Sequence, residues 1–191
     1  DLNVGVTWTI ETYAKPLDAA GFQRTILKWP TSYHFSVRNG GLDLFVNGGP
    51  NPVASQGTVA LNQWSPLAIS NDAGNAVDGL KAFVNGTQVF SGAGVTVTSG
   101  TNPLDIGNLS GGNFAAAHQF NGLLDGVRIH NTAVDQAYVD SRAAQVPIYV
   151  APDDVNRIIG GSFANTHFDD LFSTNPSSTQ HTLLNLETTT L

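Results

Sequence analysis

Apolar and polar residues alternate in several short runs along this chain of 191 residues, and turn-forming residues separate the runs. In residues 6–13, Trp8 and Ile10 fall on one face of an extended chain, whereas Thr9 and Glu11 fall on the other. A period of two predicts a strand that is buried on one face. Patterns of the same kind predict strands at residues 33–37, 42–46, 64–70, 80–84, 88–90, 95–97, 104–106 and 123–130.

Turn and cap residues indicate how these runs are connected. Asn39-Gly40 and Asn85-Gly86 each join two alternating runs, and Asn-Gly pairs favour tight β-hairpins because both central positions need a positive φ. Pro66 lacks a backbone donor, which predicts an edge strand or a bulge around it. Thr132 and Asp135 have capping-box spacing and predict one short helix that ends near residue 144.

The composition narrows the classes of function. Charged residues make up 12% of the chain, the net charge is −7, and cysteine and methionine are absent. A negative surface argues against binding to nucleic acid, and the absence of cysteine excludes disulfides and thiolate metal sites. No apolar run approaches the ~18 residues that span a bilayer. The lack of methionine even at position 1 indicates a processed chain or one that starts within a longer gene product.

Residues 146–191 differ from the rest of the chain. Pro147, Pro152 and Pro176 interrupt this segment, and threonine and serine become frequent toward its end. A segment of this composition does not build a core of its own. We therefore expect a folded domain over residues 1–145 and an extended C-terminal arm over residues 146–191, which lies along its own domain or along a neighbouring chain in an assembly.

Five segments carry a resemblance to a known family. They are Trp8-Thr-Ile-Glu-Thr-Tyr-Ala-Lys-Pro16, Leu61-Asn-Gln-Trp64 with Leu67-Ala-Ile69, Leu80-Lys-Ala-Phe-Val-Asn-Gly-Thr87, Pro103-Leu-Asp-Ile-Gly107 and Phe120-Asn-Gly-Leu-Leu-Asp-Gly-Val-Arg-Ile-His-Asn131. In this order they resemble the laminin G-like, concanavalin A-like lectin/glucanase jelly roll, especially its bacterial and phage branch. The resemblance implies an all-β fold, a two-sheet antiparallel jelly-roll sandwich, to which the sequence adds one short helix and the C-terminal arm.

A sugar-binding site needs an aromatic face and planar hydrogen-bonding groups, because a pyranose has an apolar face and a rim of hydroxyls. Trp29 in a loop, followed by Tyr33 and His34, is the best candidate for the aromatic part. Arg38, Asp43 and Asn47 are candidates for the polar contacts if they face the same surface. The alternative interpretation of Trp29 is a loop residue that caps the edge of the sandwich.

One loop carries oxygen ligands suited to calcium, which is the candidate ion here. Asn71, Asp72, Asn75 and Asp78 lie between two predicted strands, a place where hard cations bind through carboxylate and amide oxygens. The alternative is a solvated turn in which asparagine and aspartate bond to their own backbone. The family's usual first strand, which commonly carries a calcium-ligand aspartate, is missing here or reduced to Asp1–Gly5. No other cofactor is expected.

Hydrolysis of glycosides needs two carboxylates on either side of the scissile bond. The Glu-x-Asp-x-(x)-Glu strand motif of the related glucanases is absent, and Glu11 is the one glutamate placed on a predicted strand. An aspartate pair such as Asp43 with Asp125 remains formally open. The simpler expectation is that these are turn and surface residues and that Asp125 forms an ion pair with Arg128.

These observations lead to three functional hypotheses. The first is a non-catalytic structural or adhesive module of an extracellular assembly, with a phage virion decoration or fibre as the favoured setting and other protein subunits as partners. The second is a lectin-like adhesion module that binds a cell-surface glycan. The third is a glycoside hydrolase. The expected location is extracellular or on a virion surface, without nucleic acid as a partner and without membrane insertion.

Overall fold

The computed structural model describes residues 3–19, 21–28, 30–107 and 119–145. Within these ranges there are ten strands and one helix. They are β1 (Thr7–Pro16), β2 (Phe22–Leu27), β3 (Tyr33–Arg38), β4 (Gly41–Val46), β5 (Val53–Gln56), β6 (Ser65–Asp72), β7 (Leu80–Val84), β8 (Thr87–Gly92), β9 (Asp105–Ile106), β10 (Gly122–His130) and α1 (Gln136–Ala143). Trp29 and residues 146–191 lie outside the described residues.

The strands form two antiparallel sheets of five strands each. The first sheet has the order β10-β1-β6-β7-β8, and the second sheet has the order β5-β4-β3-β2-β9. The expected all-β sandwich is confirmed. Among the described residues, no helix has the length and apolar character that crossing a bilayer requires.

One hydrophobic core contains side chains from both sheets. Trp8 and Ile10 of the first sheet and Phe35 and Leu44 of the second belong to the same buried cluster, and none of them has exposed surface. Full burial of a large apolar side chain contributes roughly 1.5–3 kcal/mol. The residues that alternate with these four must therefore point away from the core, which determines what each sheet presents on its outer face.

Both predicted hairpins are present. The φ angles are 50° and 76° at Asn39 and Gly40, and 54° and 79° at Asn85 and Gly86. Positive φ at both central residues is the type I′ signature. The first of these turns fixes the register of β3 against β4, in which Ser36 lies opposite Asp43.

The prediction for Pro66 is wrong, because β6 is a central strand that pairs with both β1 and β7. The register with β7 begins only at Leu67, opposite Val84. The carbonyl of Pro66 accepts a hydrogen bond of 2.9 Å from the backbone N–H of Asn85 in the hairpin turn. Because the N and C=O of a strand residue face the same neighbour, the missing donor of Pro66 faces this turn and no ladder bond is lost.

Two further sequence expectations are corrected. Residues 95–97 form no strand; instead the Asn71 side-chain amide donates to the carbonyl of Val95 (3.0 Å) and accepts from its N–H (2.8 Å). Helix α1 is capped by Asp135 and not by Thr132, since the Asp135 carboxylate accepts from the N–H of Tyr138 at 2.9 Å. The carbonyl of Thr132 accepts a hydrogen bond from the Thr9 hydroxyl.

Candidate functional site

The face of the second sheet that points away from the core carries aromatic and charged side chains. Phe35 and Leu44 point into the core, so the alternating neighbours His34, Asp43 and Phe45 point outward. The pairing of β2 with β3 adds residues of β2 to the same face. We call this set the outer patch, and it comprises Phe22, Arg24, His34, Arg38, Asp43 and Phe45.

Three aromatic rings of the outer patch contact one another. The ring centroids of Phe22 and His34 are 4.8 Å apart in an edge-to-face arrangement, those of Phe22 and Phe45 are 5.4 Å apart, and those of His34 and Phe45 are 5.7 Å apart. His34 is buried, whereas the two phenyl rings are half-buried. The rings provide an apolar, partly accessible surface of the kind on which the CH face of a sugar packs.

Two arginines lie against the same phenyl ring. The Cζ atoms of Arg24 and Arg38 are 5.7 and 6.0 Å from the ring centroid of Phe22. Arg24 is buried, and burial lowers the pKa of its guanidinium. The Arg38 side chain is 45% exposed, so it is the charged group of the patch that a molecule in solution reaches first.

Asp43 lies at the centre of the patch without exposed surface. Its Oδ1 accepts a hydrogen bond from the backbone N–H of Ser55, and its Oδ2 lies 3.9 Å from Nη1 of Arg38. Burial raises the pKa of Asp43 above its usual value, although the bond from Ser55 and the charge of Arg38 oppose the shift. The ion pair is long, and the guanidinium of Arg38 keeps donors that Asp43 does not use.

Two buried polar atoms on this face make no hydrogen bond within the described residues. Among the described residues, neither Oδ2 of Asp43 nor Oγ of Ser36, which lies directly opposite in the sheet, has a hydrogen-bond partner. A buried group left in this state costs about 1–3 kcal/mol.

The structure brings together three of the six residues predicted for glycan binding. His34, Arg38 and Asp43 share the outer face, but Tyr33 lies in the core, where burial raises the pKa of its hydroxyl to about 12. The Asn47 amide donates to the carbonyl of Thr96 (2.9 Å) and accepts from the N–H of Thr98 (2.7 Å), and so holds that loop. The sixth candidate, Trp29, is not among the described residues.

Phe22, Arg24 and Phe45 are residues of the patch that the sequence analysis missed. Phe45 was detectable, because the alternation that places Leu44 inside also places Phe45 on the same side as Asp43. Phe22 and Arg24 belong to β2, where a register shift between Arg24 and Ile26 interrupts the alternation.

The predicted calcium loop satisfies its own oxygen atoms. Oδ1 of Asp72 accepts from the N–H of Gly74, and Oδ1 of Asn75 accepts from the N–H groups of Val77 and Asp78. The Asp78 carboxylate accepts from the Asn75 amide (2.5 Å) and pairs with Lys81 (3.4 Å); these contacts lower the pKa of Asp78.

The fourth candidate ligand is directed elsewhere. Asn71 uses its amide to hold the backbone of Val6 and Val95. Within the described ranges no three His, Asp or Glu side chains form a group able to hold a metal. Calcium binding by Asn71, Asp72, Asn75 and Asp78 stays a prediction.

The carboxylates considered for hydrolysis are not paired. Asp43 is on β4 of the second sheet, whereas Asp125 is on β10 of the first sheet. Glu11 lies on β1, as the sequence predicted, and its carboxylate is surrounded by bases and a phenol. Oε1 of Glu11 lies 3.3 Å from Nε of Arg142, 3.7 Å from Nη1 of Arg128 and 3.4 Å from Nε2 of His130.

The cluster of side chains around Glu11 holds helix α1 on the first sheet. The hydroxyl of Tyr138 in α1 donates to Glu11 at 2.9 Å, and the hydroxyl of Tyr13 in β1 donates to the carbonyl of Arg142 at 2.7 Å. The expected ion pair of Arg128 with Asp125 is wrong, because Arg128 pairs with Glu11, which is opposite it in the β1–β10 register. The cluster anchors helix α1, and within the described residues Glu11 is its one carboxylate.

Similar solved structures have the same fold and low sequence identity. Domain 4 of the extracellular GH43 arabinanase AbnA from Geobacillus stearothermophilus, determined with arabinotriose, has a TM-score of 0.57 at 21% identity, over 73% of this chain and 68% of that chain. The Ruminococcus gnavus IT-sialidase CBM40, bound to α2,3-sialyllactose, has a TM-score of 0.59 at 13% identity, over 73% and 84% of the two chains.

A third similar structure is the native heptameric SAP-like pentraxin from Limulus polyphemus. Its TM-score is 0.53 at 20% identity, over 73% of this chain and 70% of the pentraxin. At these identities the three likenesses establish the fold alone.

Sequence comparison assigns the family. No curated protein matches the chain at significant similarity, but the profile described as "Concanavalin A-like lectin/glucanases superfamily" matches residues 1–140. The match covers all the strands of the described residues and most of α1. The chain therefore belongs to the concanavalin A-like lectin/glucanase superfamily.

Proposed function

We propose that this chain is a non-catalytic, glycan-binding module and that the outer patch is its binding surface. The observation that carries the proposal is the contact among Phe22, His34 and Phe45 beside the exposed guanidinium of Arg38. Half-buried rings provide apolar area for a sugar face, and a guanidinium provides several donors in a fixed plane for its oxygens. This combination is the one that recognition of a carbohydrate requires.

The similar structures support this function and do not favour catalysis. Two of them were determined with a bound oligosaccharide, arabinotriose in one case and sialyllactose in the other. The similar part of the arabinanase is its domain 4, and that of the sialidase is the CBM40. The separation of Asp43 and Asp125 on different sheets argues against a glycosidase of the two-carboxylate type.

The experiment asks whether the chain binds glycans without hydrolysing them. The purified chain is applied to an array of plant, bacterial and animal oligosaccharides, and the sugars that bind are then incubated with it and assayed for new reducing ends. The proposal requires binding to a defined set of glycans and no release of reducing ends. Hydrolysis of a bound glycan would replace the proposal with an enzyme, and an array without any bound sugar would remove it.

The setting that fits this function is extracellular, on a cell or virion surface, and a role as a phage decoration or fibre component is a finer proposal. It is supported by the position of residues 146–191, which follow the family match that ends at residue 140. In this proposal the arm contacts neighbouring subunits while the sandwich contacts the glycan.

A further inference from the structure

We infer that a second ligand site lies at the edge of the sandwich, in a cavity where the ammonium group of Lys28 receives the carboxylate of a sugar acid. The cavity, which we call the edge cavity, has a volume of about 570 Å³ and is lined by Asn3, Lys28, Leu104 and residues 99–102. Sites for small molecules typically have volumes of about 300–1,000 Å³. None of the lining residues belongs to the outer patch, so the inference goes beyond the proposed function.

A buried ammonium group lies at the wall of the edge cavity. Lys28 directly follows strand β2 and is only 4% exposed. Its Nζ donates to the carbonyls of Gly100 and Asn102, the latter at 2.8 Å, and both of these residues line the cavity. Because an ammonium group has three donors, one donor of Lys28 is left without an acceptor among the described residues.

Lys28 also has no counter-ion in the part of the chain that the structure describes. None of the lining residues is acidic. Asp105 follows the lining residue Leu104 and lies opposite Leu27 in the β2–β9 pairing, yet no carboxylate of the described residues is within ion-pair distance of Lys28. A lysine is almost never buried to this degree without a partner of opposite charge, because removing an ammonium group from water is costly. The edge cavity is therefore favourable for an anion.

The charge and the lining of the cavity indicate the class of ligand. Lys28 is the one cation among the described lining residues, so a group with a single negative charge balances it and a doubly charged phosphate does not. Ser99 and Thr101 are exposed and carry hydroxyls, which both donate and accept hydrogen bonds. Leu104 adds apolar surface. A sugar acid has one carboxylate, several hydroxyls and an apolar CH face, and so matches all three features.

The loop that forms the cavity is held in place by the protein itself. Oδ1 of Asn3 accepts from the N–H of Gly100 at 2.9 Å, and the amide of Asn102 donates to the hydroxyl of Thr31 at 3.0 Å. Gly100 packs so closely on Thr31 that a Cβ atom at this position would overlap the Thr31 hydroxyl. A ligand therefore enters a site that is already formed and does not have to order the loop, which favours binding.

The experiment compares sugars that differ in the charge of one group. Galacturonate and glucuronate are each matched with their methyl ester, which keeps the hydroxyls and removes the charge, and dissociation constants for the full chain are measured by calorimetry at pH 7. We expect at least one acid to bind at least about ten-fold more tightly than its ester, as a charge-assisted hydrogen bond requires. The corresponding hexose 6-phosphate, which carries its anion on the same carbon, should bind more weakly than that acid.

Two variants locate the binding in the edge cavity. Lys28→Met removes the ammonium group and should bind the acid no more tightly than the ester. Since Lys28 also holds the loop, Thr101→Phe provides a second test, in which a ring occupies the cavity and Lys28 is kept; it should weaken binding of the acid at least about ten-fold. Thr87→Phe is the matched control, the same substitution at an exposed threonine of β8 on the first sheet, and it should bind normally.

Urea unfolding confirms that each variant is folded. Equal binding of acid and ester by the unmutated protein, tighter binding of the 6-phosphate, or no binding of either acid overturns the inference. A preference for the acid that persists in Lys28→Met, or unchanged binding by a folded Thr101→Phe, overturns it too. Each of these results leaves glycan binding by the outer patch untouched, because the two sites share no residue.

Discussion

Asp43 shows how one buried residue controls the character of a surface. Its side chain has no exposed area, yet it belongs to the face that we propose as the binding site. Burial favours the protonated carboxyl, and the backbone N–H of Ser55 and the guanidinium of Arg38 favour the charged one. Because burial is the largest influence, the pKa of Asp43 is raised and the folded protein takes up a proton there more readily than the unfolded chain does.

The raised pKa predicts a pH dependence of stability. Between the folded-state pKa of Asp43 and its ordinary value of 3.8, the folded state binds more protons than the unfolded state. The free energy of unfolding of the unmutated protein should therefore rise, relative to that of Asp43→Asn, as the pH falls through this window. Urea unfolding of both proteins from pH 7 to pH 4 measures the difference. A difference that shrinks as the pH falls would mean that the pKa of Asp43 is lowered.

Sequence patterns predicted the inner residues of each strand better than the outer ones. The burial of Trp8, Ile10 and Leu44 was predictable because the apolar residues of an alternating run face the core. An outward residue such as Phe45 is meaningful only through its neighbours on other strands, and those depend on register. Tyr33 illustrates the opposite error, since an aromatic residue close to a candidate loop proved to be part of the core.

At the scale of elements, two strands were not foreseen, for identifiable reasons. In β2 the register shift between Arg24 and Ile26 breaks the period of two. In β5 the positive φ of Ser55, 49°, and the prolines just before the strand resemble a loop. Residues 95–97 show the opposite error, a predicted strand that is not there. The backbone of Val95 bonds to the Asn71 side chain and not to a neighbouring strand.

Helix α1 depends on a charge cluster as much as on apolar packing. Val139 of α1 packs on Ala68 and Phe83 of the first sheet, which is a small apolar contact. Glu11 adds contacts to Arg142 and Tyr138 of the helix. Since the side chains of Glu11 and Arg142 are only 5% and 10% exposed, removal of the charge of Glu11 leaves a buried guanidinium without compensation.

Glu11→Gln should therefore destabilise the protein by about 3 kcal/mol, the cost typical of breaking a buried ion pair. The measurement is urea unfolding followed by fluorescence and circular dichroism. Asp125→Asn is the matched control, because Asp125 is an exposed acid on the neighbouring strand β10, and its effect should stay within about 0.5 kcal/mol. Equal, small effects of the two substitutions would show that the cluster does not anchor the helix.

At the scale of the whole molecule, we propose a binding role for the sandwich and an assembly role for residues 146–191. The motif order allowed the sandwich to be predicted from sequence, and the family match covers residues 1–140. The partners of residues 146–191 were not predictable, because a segment rich in threonine and serine has no pattern that specifies what it contacts.

Light scattering after size exclusion tests the role proposed for the arm. We expect a defined oligomer for residues 1–191 and a folded monomer for residues 1–145. Monomers in both cases would contradict a role of the arm in self-assembly and would leave glycan binding as the function of the chain.

If the outer patch binds the glycan, truncation of one of its aromatic rings should weaken binding. Phe45→Ala is compared with Phe90→Ala, which removes a half-buried ring from β8 of the first sheet, by calorimetric titration with the oligosaccharide that the array identifies. We expect Phe45→Ala to weaken binding at least about ten-fold, or about 1.4 kcal/mol, while both variants unfold cooperatively and Phe90→Ala binds normally. Unchanged binding by a folded Phe45→Ala, or equal weakening in both variants, would contradict binding by the outer patch.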